Sequence, residues 1–176
     1  MAKTLSRPAD HSLYEEDFPL WAERQGALLR ARRFEELDLD NLIEEVEALA
    51  RRDRREVESR AELILIHLLK LSFSPAPEPR RGWVRTTLTQ RRALARMLTP
   101  TLRNHLQEQL VELYAQARRM VAVEMETDAI EPEILPAECP YSIDEVVEAE
   151  WLPQNAFDLD RDASSAQAGT MAKTPT

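Results

Sequence analysis

The stretch DNLIEEVEALARRDRREVESRAELILIHLLK, residues 40–70, decides the fold. At 100° per residue, Leu42, Val46, Leu49, Val57, Ile64 and Leu71 fall on one stripe of a single long helix. Asp53, Arg60 and His67 fall on the same stripe, each seven residues after the last. A polar side chain that faces a core is costly unless it is paired, so this trio is the first place to look for a site. Neighbours in the trio stand about 10 Å apart along the axis. They cannot form one catalytic cluster, and any partners must come from other helices.

The surrounding sequence punctuates into further helices. Phe18, Trp21, Ala22, Gln25, Leu28 and Leu29 share a face, which predicts a first helix over about 14–31. Asp38 or Asp40 caps the long helix. That helix becomes apolar nearly all round at Leu63–Leu71 and must stop by Ser74, because SPAPEPRRG brings three prolines and a glycine. A third helix starts near Gly82 and places Val84, Leu88, Arg91, Ala95 and Leu98 on one stripe. Thr99 caps the fourth, with Pro100 in its first turn. Its core face holds Leu106, Leu110, Leu113, Tyr114, Ala117, Met120 and Val121. Residues 127–141 form a proline-rich connector. Ser142 and Glu145 then make a capping box for a short last helix, with Trp151 pinning it back.

The expected architecture is all-α: a single-domain bundle of four main helices plus a short C-terminal helix. Three glycines and a dominance of Ala, Leu, Glu and Arg point the same way. Residues 1–12 read as a flexible N-terminus, 13–153 as the helical bundle domain, and 154–176 as a disordered acidic and polar tail.

Charge is segregated along the chain. The formal net charge is −9; it divides into an acidic start, a basic middle over residues 51–119 and an acidic end. Either neighbouring helices pair these charges, or the middle offers a basic surface to an acidic partner. The basic middle contains the run Arg51 to Arg55 and a second cluster of Arg80, Arg81, Arg85, Arg92 and Arg96 around Trp83. Basic residues interleaved with an aromatic are compatible with nucleic-acid contact. The acidic total argues against nucleic acid as the dedicated partner.

Several stretches taken together resemble a known family. They are residues 14–49 (YEEDFPLWAERQGALLRARRFEELDLDNLIEEVEAL), 59–70 (SRAELILIHLLK), 83–91 (WVRTTLTQR), 113–119 (LYAQARR) and 139–147 (CPYSIDEVV). In this order they resemble the bacterial domain-of-unknown-function family 29. Asp40-Asn-Leu-Ile-Glu-Glu and His67-Leu-Leu-Lys are the most specific blocks. Leu71 stands where the family usually has an aromatic, and Tyr141 where tryptophan is common. The resemblance implies an all-α fold and no activity, and it supplies no catalytic residue.

Functional readings therefore rest on the residues. Arg91 and Gln25 join Asp53, Arg60 and His67 as polar groups on otherwise apolar stripes. The plainer account is a half-buried network that fixes helix register. The sharper one is a polar pocket with His67 as ligand or general base, making the chain a small-ligand binder or an enzyme. No Glu-x-x-His, nucleophile elbow or phosphate loop is present, so no metal, cofactor or catalytic residue is assigned. Cys139 is the lone cysteine and reads as structural. The favoured function is a non-enzymatic interaction or assembly module whose partner is another protein, a second copy included. A nucleic-acid role through the arginine clusters is the other alternative. With no apolar run of membrane-spanning length and no signal-peptide core, no membrane partner is expected and the expected location is the cytoplasm.

Overall fold

The computed structural model describes residues 13–76, 79–127 and 134–157. It is all-α, with no strand among the described residues: four long helices and a short one near the C-terminus. They are α1 (Phe18–Arg30), α2 (Leu39–Phe73), α3 (Arg80–Ala95), α4 (Pro100–Thr127) and α5 (Ile143–Val147), with a 3-10 turn at Phe34–Glu36. The chain divides into two compact units, residues 1–53 and 54–176, and α2 runs through both. The expected looseness of 1–12 lies outside the described residues, as does most of the expected tail, 158–176.

In the first unit, α1 begins at Phe18 rather than near Tyr14. Asp17 interrupts the helical turn at 13–16 and caps α1, accepting from the Leu20 amide at 3.1 Å, with Pro19 in the first turn. The other end of α1 closes without glycine. Arg32 takes φ 57°, the Arg33 amide reaches the Leu28 carbonyl at 3.0 Å, and the Arg32 amide reaches Leu29 at 3.1 Å. This is a Schellman closure in which arginine occupies the left-handed position.

Trp21, Gln25 and Leu28 form the buried edge of α1, while Phe18, Ala22 and Leu29 are exposed. Trp21 Nε1 donates to Asp38 Oδ2 at 3.2 Å, Asn41 Nδ2 donates to the same oxygen at 2.7 Å, and the Asp38 amide donates to Gln25 Oε1 at 2.9 Å. Tyr14 packs its ring edge against Trp21 at 4.9 Å and donates to Glu45 at 2.6 Å. That bond to a carboxylate pushes the Tyr14 phenol up to about 12.

In the second unit the expected stripe is buried. Val57, Ile64 and Leu71 are all 1 % exposed or less, and Ala61, Leu65, Leu68 and Leu69 widen the buried surface of α2. They pack with Leu106, Leu110, Leu113, Tyr114, Ala117, Val121 and Met125 of α4, Leu94 of α3, and Leu135, Tyr141, Ile143 and Val146. Met120, expected on the core face of α4, is exposed instead. The two caps expected in this unit form: Thr99 accepts from the Leu102 amide at 3.3 Å, and Ser142 with Glu145 makes the capping box.

The end of α2 is closed by residues far away in sequence. Asn155 Nδ2 donates to the Leu71 and Ser74 carbonyls at 2.7 and 3.0 Å, the Ala156 amide donates to Ser72 at 2.8 Å, and Arg80 donates to Leu71 at 2.7 Å. The Ser72 hydroxyl meets the Tyr141 hydroxyl at 2.7 Å. Asn155 belongs to the stretch expected to be loose, yet it is buried; four terminal carbonyls of any helix lack partners, and here the returning chain supplies some of them.

Two substitutions test these closures. Arg32→Gly relieves the left-handed arginine and is expected to raise unfolding free energy by about 0.5–1 kcal/mol. Asn155→Ala strips the Ser74 carbonyl of its donor and leaves Leu71 with Arg80 alone, and is expected to lower it by about 1–3 kcal/mol. Urea denaturation followed by circular dichroism measures both.

Candidate functional site

The polar trio of α2 does not converge. Asp53 is exposed, contrary to its expected inward place, because the buried part of the stripe begins only at Val57. Arg60 is half-buried and donates to Gln90 Oε1 at 2.8 Å while pairing with Glu56 one turn back. His67 is half-buried, and its Nδ1 lies 2.8 Å from the Leu63 carbonyl. That geometry makes Nδ1 the protonated nitrogen of the neutral ring. Burial is the largest influence on the imidazole and lowers its pKa from the ordinary 6.5. Arg60 Nη1 and Nη2 and His67 Nδ1 find partners on or beside their own helix, Arg60 Nε is buried without one, and the three groups do not face a common space.

Arg91 is the most consequential of the expected residues. It is 1 % exposed, on the edge of α3 that also buries Thr87 and Leu94. The expected stripe through Val84, Leu88 and Ala95 is offset from this edge: Leu88 and Ala95 are exposed and Val84 is only half-buried. The Arg91 guanidinium donates to three backbone carbonyls, Nε to Val146 at 2.9 Å, Nη2 to Glu145 at 2.5 Å and Nη1 to Trp151 at 2.5 Å. Glu145 and Val146 lie in the last turns of α5, where carbonyls have no helical partner and the helix dipole is negative. A five-residue helix is thus closed by its own capping box at one end and by Arg91 at the other. Burial lowers the Arg91 pKa to about 10, so it keeps its proton at neutral pH. Gln25 is buried in the first unit, beside Asp38. These two expected site residues hold backbone in place.

Cys139 donates weakly to the Tyr141 carbonyl at 3.3 Å, and burial pushes its thiol up, away from the thiolate form a nucleophile needs. Among the described residues, no group of three or more His, Cys, Asp or Glu side chains is placed to hold a metal ion. No described helix is long and apolar enough to cross a membrane.

The concave surface with chemical character lies on the outer face of α3. Arg81, Arg85, Leu88, Arg92 and Arg96 follow at spacings of four, three, four and four, which is one side of a helix. A groove of about 580 Å³ is lined by Leu88, Arg91, Arg92, Ala95 and Arg96 of α3 and by Val147, Ala149 and Glu150. A second of about 300 Å³ is lined by Arg81, Val84, Arg85, Leu88, Thr89 and Arg92. Leu88 and Arg92 belong to both, so the two grooves adjoin along α3. Its floor is aliphatic and its rim basic. Arg81, Arg85, Arg92 and Arg96 have no ion pair among the described residues. Elsewhere in the second unit Lys70 pairs with Glu124 and Arg103 with Asp144.

The sequence marks this arginine cluster but not the groove. The groove depends on Arg91 drawing residues 145–151 against α3, which helical periodicity cannot show.

Replacing Arg91 with Met should leave three carbonyls without a donor and cost about 3–5 kcal/mol in urea unfolding, with Arg91→Lys intermediate because one ammonium cannot span the fork. For His67 the folded pKa is the lower one, so protonation favours the unfolded chain. The stability that neutral His67 contributes is present above its ordinary pKa and lost as pH falls through the folded value. Melting curves should therefore show a smaller drop from about pH 7 to about pH 5 in His67→Gln than in the wild type.

No curated protein and no solved structure matches the chain. The profile of one family does: DUF29, a domain of unknown function, over residues 13–152. The chain belongs to that family, and the matched span contains the Asp40-Asn-Leu-Ile-Glu-Glu and His67-Leu-Leu-Lys blocks.

Proposed function

We propose that this chain is a non-enzymatic binding module that receives an acidic segment of another protein along the α3 groove. The observation that carries this reading is the row Arg81, Arg85, Arg92 and Arg96 beside the aliphatic floor of Val84, Leu88, Ala95 and Val147. Like charges one turn apart repel by a few tenths of a kcal/mol per pair. An anionic partner removes that repulsion, and the apolar floor rewards aliphatic side chains between its acids.

The acidic end of the chain argues for a short segment over a nucleic acid. Glu150 lines the Val147 side of the groove, where a peptide can present an apolar side chain and a uniformly charged phosphate backbone cannot. The alternative of a ligand pocket around His67, Arg60 and Asp53 has less behind it. Arg60 and His67 are committed to Gln90, Glu56 and Leu63, and Asp53 faces solvent.

Fluorescence anisotropy with a labelled peptide alternating glutamate pairs and leucines tests the proposal. Binding should weaken about tenfold in Arg85→Glu/Arg92→Glu and fall with added salt, while the circular dichroism spectrum is unchanged. Equal binding by that variant, or tighter binding of single- or double-stranded nucleic acid than of the peptide, overturns it.

A further inference from the structure

The same stripe of α2 that is buried from Val57 onward is exposed before it. Leu39, Ile43, Val46 and Leu49 are 44 %, 56 %, 65 % and 59 % exposed, and Ala50 is exposed with them. Sequence periodicity gives Leu42, Ile43, Val46, Leu49 and Ala50 the buried face of the helix. In the first unit α1 instead meets another side of α2, through Asp38, Asn41 and Glu45. An aliphatic strip about 16 Å long, from Leu39 to Ala50, is therefore uncovered. A strip of this kind is expensive in water, and burying it is worth about 25 cal/mol for each Å².

We infer that this strip pairs with itself, antiparallel, in a two-fold dimer of the chain. The register follows from the wheel. Val46 lies at the centre of the strip, with Ile43 and Ala50 on one flank and Leu42 and Leu49 on the other. A two-fold axis at Val46 keeps each flank on its own side. It sets Val46 against its own copy, Ile43 against Ala50 of the second copy, and Leu42 against Leu49 of the second copy. One register thus satisfies all three layers.

The charges select the direction. Asp40, Glu44 and Glu45 precede the strip's centre, and after it Arg51, Arg52, Arg54 and Arg55 outnumber Glu47 and Asp53. Antiparallel pairing opposes the acidic end of one copy to the basic end of the other at both ends of the contact. Parallel pairing would stack acid on acid and arginine on arginine. The partner whose charge and apolar pattern match this strip is thus the strip itself, reversed. The inference is independent of the α3 groove, and either can fail alone.

Sedimentation velocity of the full chain across micromolar concentrations should give a dimer, and Val46→Asp/Leu49→Asp should give a monomer with the helical spectrum of the wild type and a melting temperature that, unlike the wild type's, does not vary with concentration. Because both positions are exposed, loss of folding is not the expected cost. Direction is read with Cys139→Ser chains carrying either Ile43→Cys or Ala50→Cys. Mixed and oxidised, the two should yield the mixed disulfide in preference to either self-linked product. A wild type that is monomeric throughout, a dimer that survives both aspartates, or cross-linking of each variant chiefly to itself overturns the inference.

Discussion

A helix end buried in protein must find donors for its last carbonyls, and this constraint organises the second unit. The carbonyls closing α2 are met by Arg80, Asn155 and the Ala156 amide, and those closing α5 by Arg91. Each donor comes from another element. The C-terminal stretch is thereby sewn to the bundle by directional bonds as well as by Tyr141, Ile143 and Val146 in the core. A guanidinium suits the task at α5, because its planar fork serves three carbonyls at once and its charge complements the negative helix end. The Trp151 ring, 6.0 Å from the Arg91 guanidinium, adds a cation–π contact on the same group.

The groove is a consequence of that clasp. The residues that Arg91 holds include the neighbours of Val147, Ala149 and Glu150, which form the wall opposite the α3 arginines. Structure and candidate function therefore share one helix and divide it by face. The inward arginine fixes backbone, and the four outward ones present charge. Helical spacing accounts for the division, since Arg91 and Arg92 are adjacent in sequence but point about 100° apart.

Much of this was legible in the sequence. The length of α2, its stop before the prolines, the Thr99 and Ser142 caps and the apolar face of α4 all follow from local rules that act within a few residues. What was not legible depends on contacts between distant positions. Periodicity finds an apolar stripe on α2 but not what covers it, so Val57 and Val46 looked alike although one is fully buried and the other is 65 % exposed. Arg91 was recognisable as an arginine on an apolar helix, whereas its partners are backbone carbonyls more than 50 residues away and leave no side-chain signature. Arg32 was silent for a related reason: its left-handed backbone is the kind of position glycine usually marks.

Asp53, Arg60 and His67 show why a polar heptad is ambiguous. A single spacing places them on one line, but their surroundings change along it, from solvent at Asp53 to a cross-helix bond at Arg60 to a local backbone bond at His67. A ligand pocket requires groups that converge and are left unspent. The two inner members are largely spent, Arg60 on Glu56 and Gln90 through its two terminal nitrogens and His67 on Leu63. Among the described residues, the arginines of the α3 rim and the aliphatic strip of α2 before Val57 remain unspent. Both are extended linear surfaces along a helix rather than enclosed cavities, and an extended surface suits a chain segment or another helix better than a small molecule.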